Sequence, residues 1–173
     1  MIIIINGRGG VGKDTFVKFC MESPLITFIE NMSTIEPIKG VATMLGWDQE
    51  KTPEARKFLS DLKDLSSEFN DFPYQFVIKR LKDRLRLFED FGIDKFIIFI
   101  HSREPEEIAR FVKDLGAKTL LIKRNTNEVY LNHADLKVEN YRYDYTIENN
   151  GTLEEFRDKA IDFVYRALKK EGI

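Results

Sequence analysis

Gly7-Arg8-Gly9-Gly10-Val11-Gly12-Lys13-Asp14-Thr15, directly after the apolar run Ile2 to Ile5, decides how this chain is read. The stretch fits G-x-x-x-x-G-K, a loop that cradles phosphate, with Asp14 in the seat usually held by Ser or Thr and Thr15 one place later. Glycines let the backbone curl so that successive N–H groups point inward at phosphate oxygens. Lys13 reaches the outer phosphates, and the helix start just beyond adds partial positive charge. The context agrees with that chemistry: a β-branched strand precedes the loop and an amphipathic helix follows it.

Working outward, 173 residues suit one compact α/β domain spanning 1–173. The net charge is −2 with acids and bases interspersed, so no global field argues for nucleic acid or a membrane surface. A single Cys20 forms no internal disulfide and suits a reducing cytoplasm. Met1 to Ile5 is too short for a signal-peptide core, and no stretch reaches transmembrane length.

Short apolar runs alternate with helical periodicity. Strands are expected at Ile2–Asn6, Ile26–Glu30, Lys95–Ile100, Thr119–Lys123 and Tyr145–Glu148. The third, apolar almost throughout, reads as a parallel strand covered on both faces. Helices are expected from Lys13 to about Glu22, and from Thr52-Pro53 with Phe58, Leu59, Leu62 and Leu65 on one side. Another carries Val77, Leu81, Leu85 and Phe88 and ends at Gly92. Pro105 opens a helix closed by Gly116, and Thr152-x-x-Glu155 is a capping box before the last one. Strands interleaved with helices specify a parallel sheet with helices on both faces. Ligands of such sheets sit at the strands' C-terminal edge, where the Gly loop emerges.

The stretch between the second and third strands, 31–92, is long and helical. It reads either as extra core or as a flap for an acceptor, because Lys39, Arg56, Lys79, Arg80, Arg84 and Arg86 supply cations for an anionic substrate.

The Gly12-Lys13-Asp14-Thr15 form of the loop resembles that of the phage-type deoxynucleoside monophosphate kinases, within the P-loop nucleoside monophosphate kinase superfamily. Glu36-Pro37-Ile38-Lys39 leading to Leu45-Gly46-Trp47 is similar to that family's Pro-x-Lys helix. Arg56-Lys57-Phe58-Leu59 followed by Leu62 resembles its Arg-x-x-Leu-x-x-Leu helix, and Ser102-Arg103 stands in the place of its Asp-x-Arg or Asp-Arg turn. Asp144 to Leu153 is similar to a D-x-x-I-x-N-x-G-[ST]-L ending shared with dephospho-CoA kinases.

The resemblance implies a three-layer P-loop kinase fold with a five-stranded parallel sheet in the order 2-3-1-4-5. It also implies an acceptor-binding insertion at 31–92 and a short lid at 124–143. ATP with Mg2+ would be the donor, held by Gly7, Arg8, Gly9, Gly10, Val11, Gly12, Lys13, Asp14 and Thr15, with Asn149, Asn150 and Gly151 against adenine. Lys39, Arg56 and Arg103 would face the acceptor phosphate. Lys13, Arg103, Arg124 and Arg142 would follow the transferred charge, since a planar fork suits phosphate oxygens. Small-molecule nucleotides are the partners so implied; the sequence is silent on oligomeric state.

The chain departs from that pattern at the end of the third strand. An acid is expected there to hold magnesium's water shell, yet the residues are His101-Ser102. Asp14 then becomes the candidate metal contact, with a helix-dipole role as the alternative; His133 keeps an open role. Three functions follow. The first is a kinase of (deoxy)nucleoside monophosphates, and the second a kinase of another phosphorylated metabolite or coenzyme precursor. The third is a nucleotide-binding regulator with little turnover.

Overall fold

The computed structural model describes residues 1–125, 138 and 141–170. They form two compact units: Met1–Asn31 with Ile93–Ile173, and Met32–Gly92.

The first unit is built on the apolar runs. Strands β1 (Ile2–Asn6), β2 (Phe28–Ser33), β3 (Phe96–His101), β4 (Lys118–Lys123) and β5 (Tyr145–Glu148) form one sheet in the order β2-β3-β1-β4-β5. Pairing is parallel at β1–β3, β1–β4 and β4–β5, with Ile4 opposite both Ile100 and Thr119. The expected strand order, 2-3-1-4-5, is the observed one.

Alternation along the strands splits the core into two layers. Ile3, Ile5, Ile97, Phe99, Leu120 and Ile122 share one cluster with Phe16, Val17 and Cys20 of helix α1 (Lys13–Cys20). Phe156, Ala160, Phe163 and Val164, from the C-terminal helix Leu153–Lys170, complete that cluster. Phe16 is its hub, with ring centroids 5.4 Å from Phe163 and 5.7 Å from Phe156. Ile4, Ile98 and Ile100 fall on the alternate positions and are equally buried. The helix Pro105–Leu115 packs on β1 and β4 and buries Ile108 and Phe111 completely.

Two of the helix-end signals read from the sequence lie in this unit, and both are present. Gly116 closes Pro105–Leu115 at φ +62. Thr152 and Glu155 exchange reciprocal bonds, Thr152 N to Glu155 Oε2 at 2.7 Å and Glu155 N to Thr152 Oγ1 at 3.2 Å.

The second unit holds α2 (Glu36–Met44), α3 (Pro53–Asn70) and α4 (Phe72–Asp90); in chain order Pro105–Leu115 is then α5 and Leu153–Lys170 is α6. Thr52 caps α3 by accepting from Ala55 N at 3.1 Å. Asp71, at φ +59, both ends α3 and precedes α4, so the chain reverses within one residue. α4 buries Pro73, Tyr74, Val77, Leu81 and Phe88, whereas Leu85 is half-buried. α3 buries no side chain: its apolar side leaves Phe58, Leu65 and Phe69 exposed.

β3 and β4 differ from expectation by a residue, running Phe96–His101 and Lys118–Lys123, and β2 and α1 differ by more. β2 runs Phe28–Ser33 rather than Ile26–Glu30, because Ser23 N–Cys20 O and Ile26 N–Ser23 O bonds carry the turn after α1 further along. Residues 31–33, read as the start of the helical stretch, are therefore strand. α1 ends at Cys20 rather than near Glu22, and Met21 and Glu22 form a turn. Most of the lid-like stretch 124–143, with His133, lies outside the described residues.

Candidate active site

The loop leaves β1 at the sheet's C-terminal edge, in the middle of the five strands. Its glycines are conformational necessities at two positions. Gly7 has φ +149, and a Cβ there would lie 2.5 Å from the Ile122 carbonyl oxygen. Gly12 has φ +98, and its Cβ would lie 2.8 Å from Asn149 Nδ2. The β4 backbone at Gly7 and the Asn149 and Phe156 side chains at Gly12 thus leave no room for a side chain.

Lys13 opens α1, and its ammonium donates to the carbonyls of Gly7 at 2.6 Å and Arg8 at 2.9 Å. The cation is thereby folded back over the loop it follows. An arriving phosphate offers oxygens bearing full charge in place of neutral carbonyls, so the ammonium exchanges an ion–dipole contact for an ion pair. Asp14 follows with its side chain 84% exposed. Phe16 N bonds Gly12 O at 2.8 Å, so the helix's first turn begins directly at the loop, with its early N–H groups outside the intrahelical ladder.

Asn6 supports the loop from beneath. Fully buried at the end of β1, it accepts from Gly7 N at 2.7 Å. Its amide nitrogen donates to Tyr143 Oη at 2.7 Å and to the Arg103 carbonyl at 3.3 Å. Tyr143 in turn donates to Val138 O at 2.7 Å. Asn149 clamps the other side: its N–H donates to Lys123 O at 2.7 Å and its Nδ2 to Val11 O at 2.9 Å. Asn150 accepts from Asn125 N at 2.7 Å. Asn149, expected beside adenine, therefore also braces the phosphate loop.

The end of β3 carries a polar cluster. His101 Nε2 donates to Asn31 Oδ1 at 2.7 Å and lies 3.8 Å from Asp14 Oδ1. Ser102 is buried and donates to Glu107 Oε2 at 2.5 Å. A carboxylate thus does reach this strand end, from the first turns of α5, although its partner is the Ser102 hydroxyl. Arg103 lies in the turn after β3, half-buried, with its carbonyl on Asn6.

The structure brings together the Gly loop, Arg103, the Asn149–Gly151 turn and the His101 cluster. Arg124 and Arg142 are exposed at either end of the lid-like stretch. Lys39 and Arg56 are exposed on α2 and α3 of the second unit. Arg80, counted among the flap cations, pairs with Glu36 at 2.6 Å. Sequence reasoning missed Asn6, Asn31, Tyr143 and Glu107. Asn6 alone left a signal, a polar residue closing an otherwise apolar strand. Asp14 offers exposed carboxylate oxygen of the kind a hard cation takes, and among the described residues no group of three or more His, Cys, Asp or Glu could hold a metal ion by itself.

No protein-family model matches this chain, and no curated protein does. Among solved structures it is similar to an unliganded sugar kinase from Janibacter sp. HTCC2649. That match is 16% identical, covers 97% of this chain and 92% of the other, and has a TM-score of 0.43. It is also similar to shikimate kinase from Aquifex aeolicus vf5, at 15% identity, 96% coverage of each chain and a TM-score of 0.45.

Proposed function

We propose that this protein is an ATP-dependent small-molecule kinase that passes the γ-phosphoryl to a phosphorylated acceptor, foremost a nucleoside or deoxynucleoside monophosphate. The observation that carries the reading is the Lys13 ammonium held over the carbonyls of Gly7 and Arg8, in a Gly loop joining the middle strand of the sheet to α1.

Phosphoryl transfer asks the protein for positioning and charge neutralisation rather than a covalent nucleophile. Loop N–H groups and the start of α1 would hold the β- and γ-phosphates, with Thr15 at the inner phosphate. Lys13 would leave its carbonyl partners and track the charge moving toward the acceptor. Arg103 would offer a fork to the transferred group, while Arg124 and Arg142 would approach the donor and exclude water. Lys39 and Arg56 would bind the acceptor's own phosphate. Magnesium, held by Asp14 and phosphate oxygens, would supply further neutralisation of charge.

A second reading, a nucleotide-binding regulator with little turnover, draws on one observation: the residue closing β3 is His101 rather than an acid. An ADP-release assay over a panel of (deoxy)nucleoside monophosphates separates the two. Turnover with one of them supports the first. ATP binding without turnover on any phosphorylated acceptor supports the second.

A further inference from the structure

One buried side chain touches three parts of the site at once, and a second side chain holds it there. Asn6 Oδ1 accepts from Gly7 N at 2.7 Å, which turns Nδ2 toward acceptors. Nδ2 meets the Arg103 carbonyl at 3.3 Å and Tyr143 Oη at 2.7 Å. A phenol hydroxyl can donate or accept, and this one spends its proton on Val138 O at 2.7 Å, leaving a lone pair for Asn6. Val138 is buried, so water does not compete for its carbonyl. The bonds run in one sense, from Gly7 N–H through Asn6 and Tyr143 to Val138, and each polarises the next. The turn carrying Arg103 is gripped twice: Ser102 donates to Glu107 of α5, and the Arg103 carbonyl accepts from Asn6. The second grip is the one that continues to the Gly loop.

We infer that Tyr143 is a positioning residue of this site: through Asn6 its hydroxyl holds the Arg103 turn and the first residue of the Gly loop at a fixed separation. The inference rests on the kinase reading above and deepens it. Lys13 and Arg103 come from different elements and must meet the same transferred group, and a misplacement of about 1 Å can cost about a hundredfold in rate. Without the phenol oxygen, one Asn6 N–H and the Val138 carbonyl lose their partner, and the Asn6 amide can rotate. Its bond to the Arg103 carbonyl is the longest of its three, so that turn relaxes first. The loop keeps a separate brace, Asn149 Nδ2 on Val11 O, so nucleotide should still bind. Loss of the hydroxyl therefore slows transfer more than it weakens ATP.

The test sets Tyr143→Phe beside wild type, with Gly116→Ala as a control that strains the C-terminal end of α5, where a new methyl meets nothing within 4 Å. On the best acceptor of the nucleoside monophosphate panel, Tyr143→Phe is expected to lower kcat about tenfold, the size of one hydrogen bond, with ATP affinity held within about twofold. Gly116→Ala should keep kcat within about twofold of wild type. Combined with Arg103→Lys, the loss should be smaller than the product of the two single losses, because both changes act on the same fork. An unchanged kcat in Tyr143→Phe, or losses that simply multiply, overturns the inference. Hydrogen exchange at the Gly7 amide, followed by NMR, reads the same bonds without turnover. It should quicken about tenfold in Tyr143→Phe and stay within about twofold in Gly116→Ala. Equal Gly7 exchange in wild type and Tyr143→Phe overturns the inference whatever the activity. Wild type that turns over no phosphorylated acceptor, while Gly7 exchange still quickens in Tyr143→Phe, overturns the kinase reading alone.

Discussion

Gly12 and Gly46 form a matched pair for measuring how tightly the phosphate loop is built. Their φ angles are +98 and +97, so an alanine at either meets nearly the same backbone strain. They differ in what the new methyl meets. At Gly46 nothing lies within 4 Å, whereas at Gly12 the methyl would sit 2.8 Å from Asn149 Nδ2 and 3.2 Å from Phe156 Cε1. Gly46→Ala should therefore cost only the left-handed strain, about 1–2 kcal/mol. Gly12→Ala carries that strain and also drives Asn149 off Val11 O. Stranding that acceptor at a buried residue adds about 1–3 kcal/mol. Displacement of Phe156, 1% exposed beneath the loop, pushes the cost further up. Urea unfolding followed by far-UV circular dichroism reads both variants, with m-values checked against wild type. The expected order is Gly12→Ala clearly below Gly46→Ala, by at least about 1 kcal/mol. Equal losses would show that Asn149 does not brace the loop.

Four further outcomes follow. Lys13→Ala should lower ATP affinity about tenfold or more in calorimetry, since it removes a contact worth roughly 1.5–3 kcal/mol; equal affinity in the two proteins would remove the phosphate-loop reading. Arg103→Lys keeps the charge but not the fork, so turnover on the panel's best acceptor should drop far more than ATP affinity, and unchanged turnover would assign Arg103 to the scaffold. Cys20 is fully buried, donates to Ala160 O at 3.7 Å and has its thiol pKa pushed up by that burial. It should resist thiol reagents until denaturant opens the α1–α6 contact, and prompt labelling of native protein would contradict that packing. Because the folded state holds the Cys20 proton beyond the pH at which the unfolded thiol ionises, wild-type stability is complete below about pH 8.5. Above it, stability should fall more steeply than in Cys20→Ala, and identical slopes would refute the linkage.

Elements with a strong period or a hard stop were legible in the sequence. β1, β5 and α5 fall where apolar runs, Pro105 and Gly116 place them. β2 was displaced because Glu30, Asn31 and Ser33 interrupt its apolar pattern, and an edge strand tolerates such residues on one side. The apolar side of α3 was visible as periodicity, but periodicity does not say whether a face is covered. In the site, the loop was readable because glycine spacing reports backbone shape directly. Asn31 and Glu107 were not, because their roles come from strand adjacency and from the reach of α5, neither of which local sequence encodes. Lys39 and Arg56 keep the acceptor role only as a proposal, on a unit of their own.

Asn6 has a consequence for how freely this chain can vary. Its one oxygen and both amide hydrogens are assigned, to Gly7 N, to Tyr143 and to the Arg103 carbonyl, in a space with no exposure. Aspartate supplies the acceptor but neither donor, and it adds a buried charge. Leucine fills similar volume and strands three partners, while glutamine reaches a carbon too far. Helix faces elsewhere can exchange residues within broad chemical classes, but the last residue of β1 has an alphabet of one letter. A library randomised at that codon and selected for folding should return asparagine.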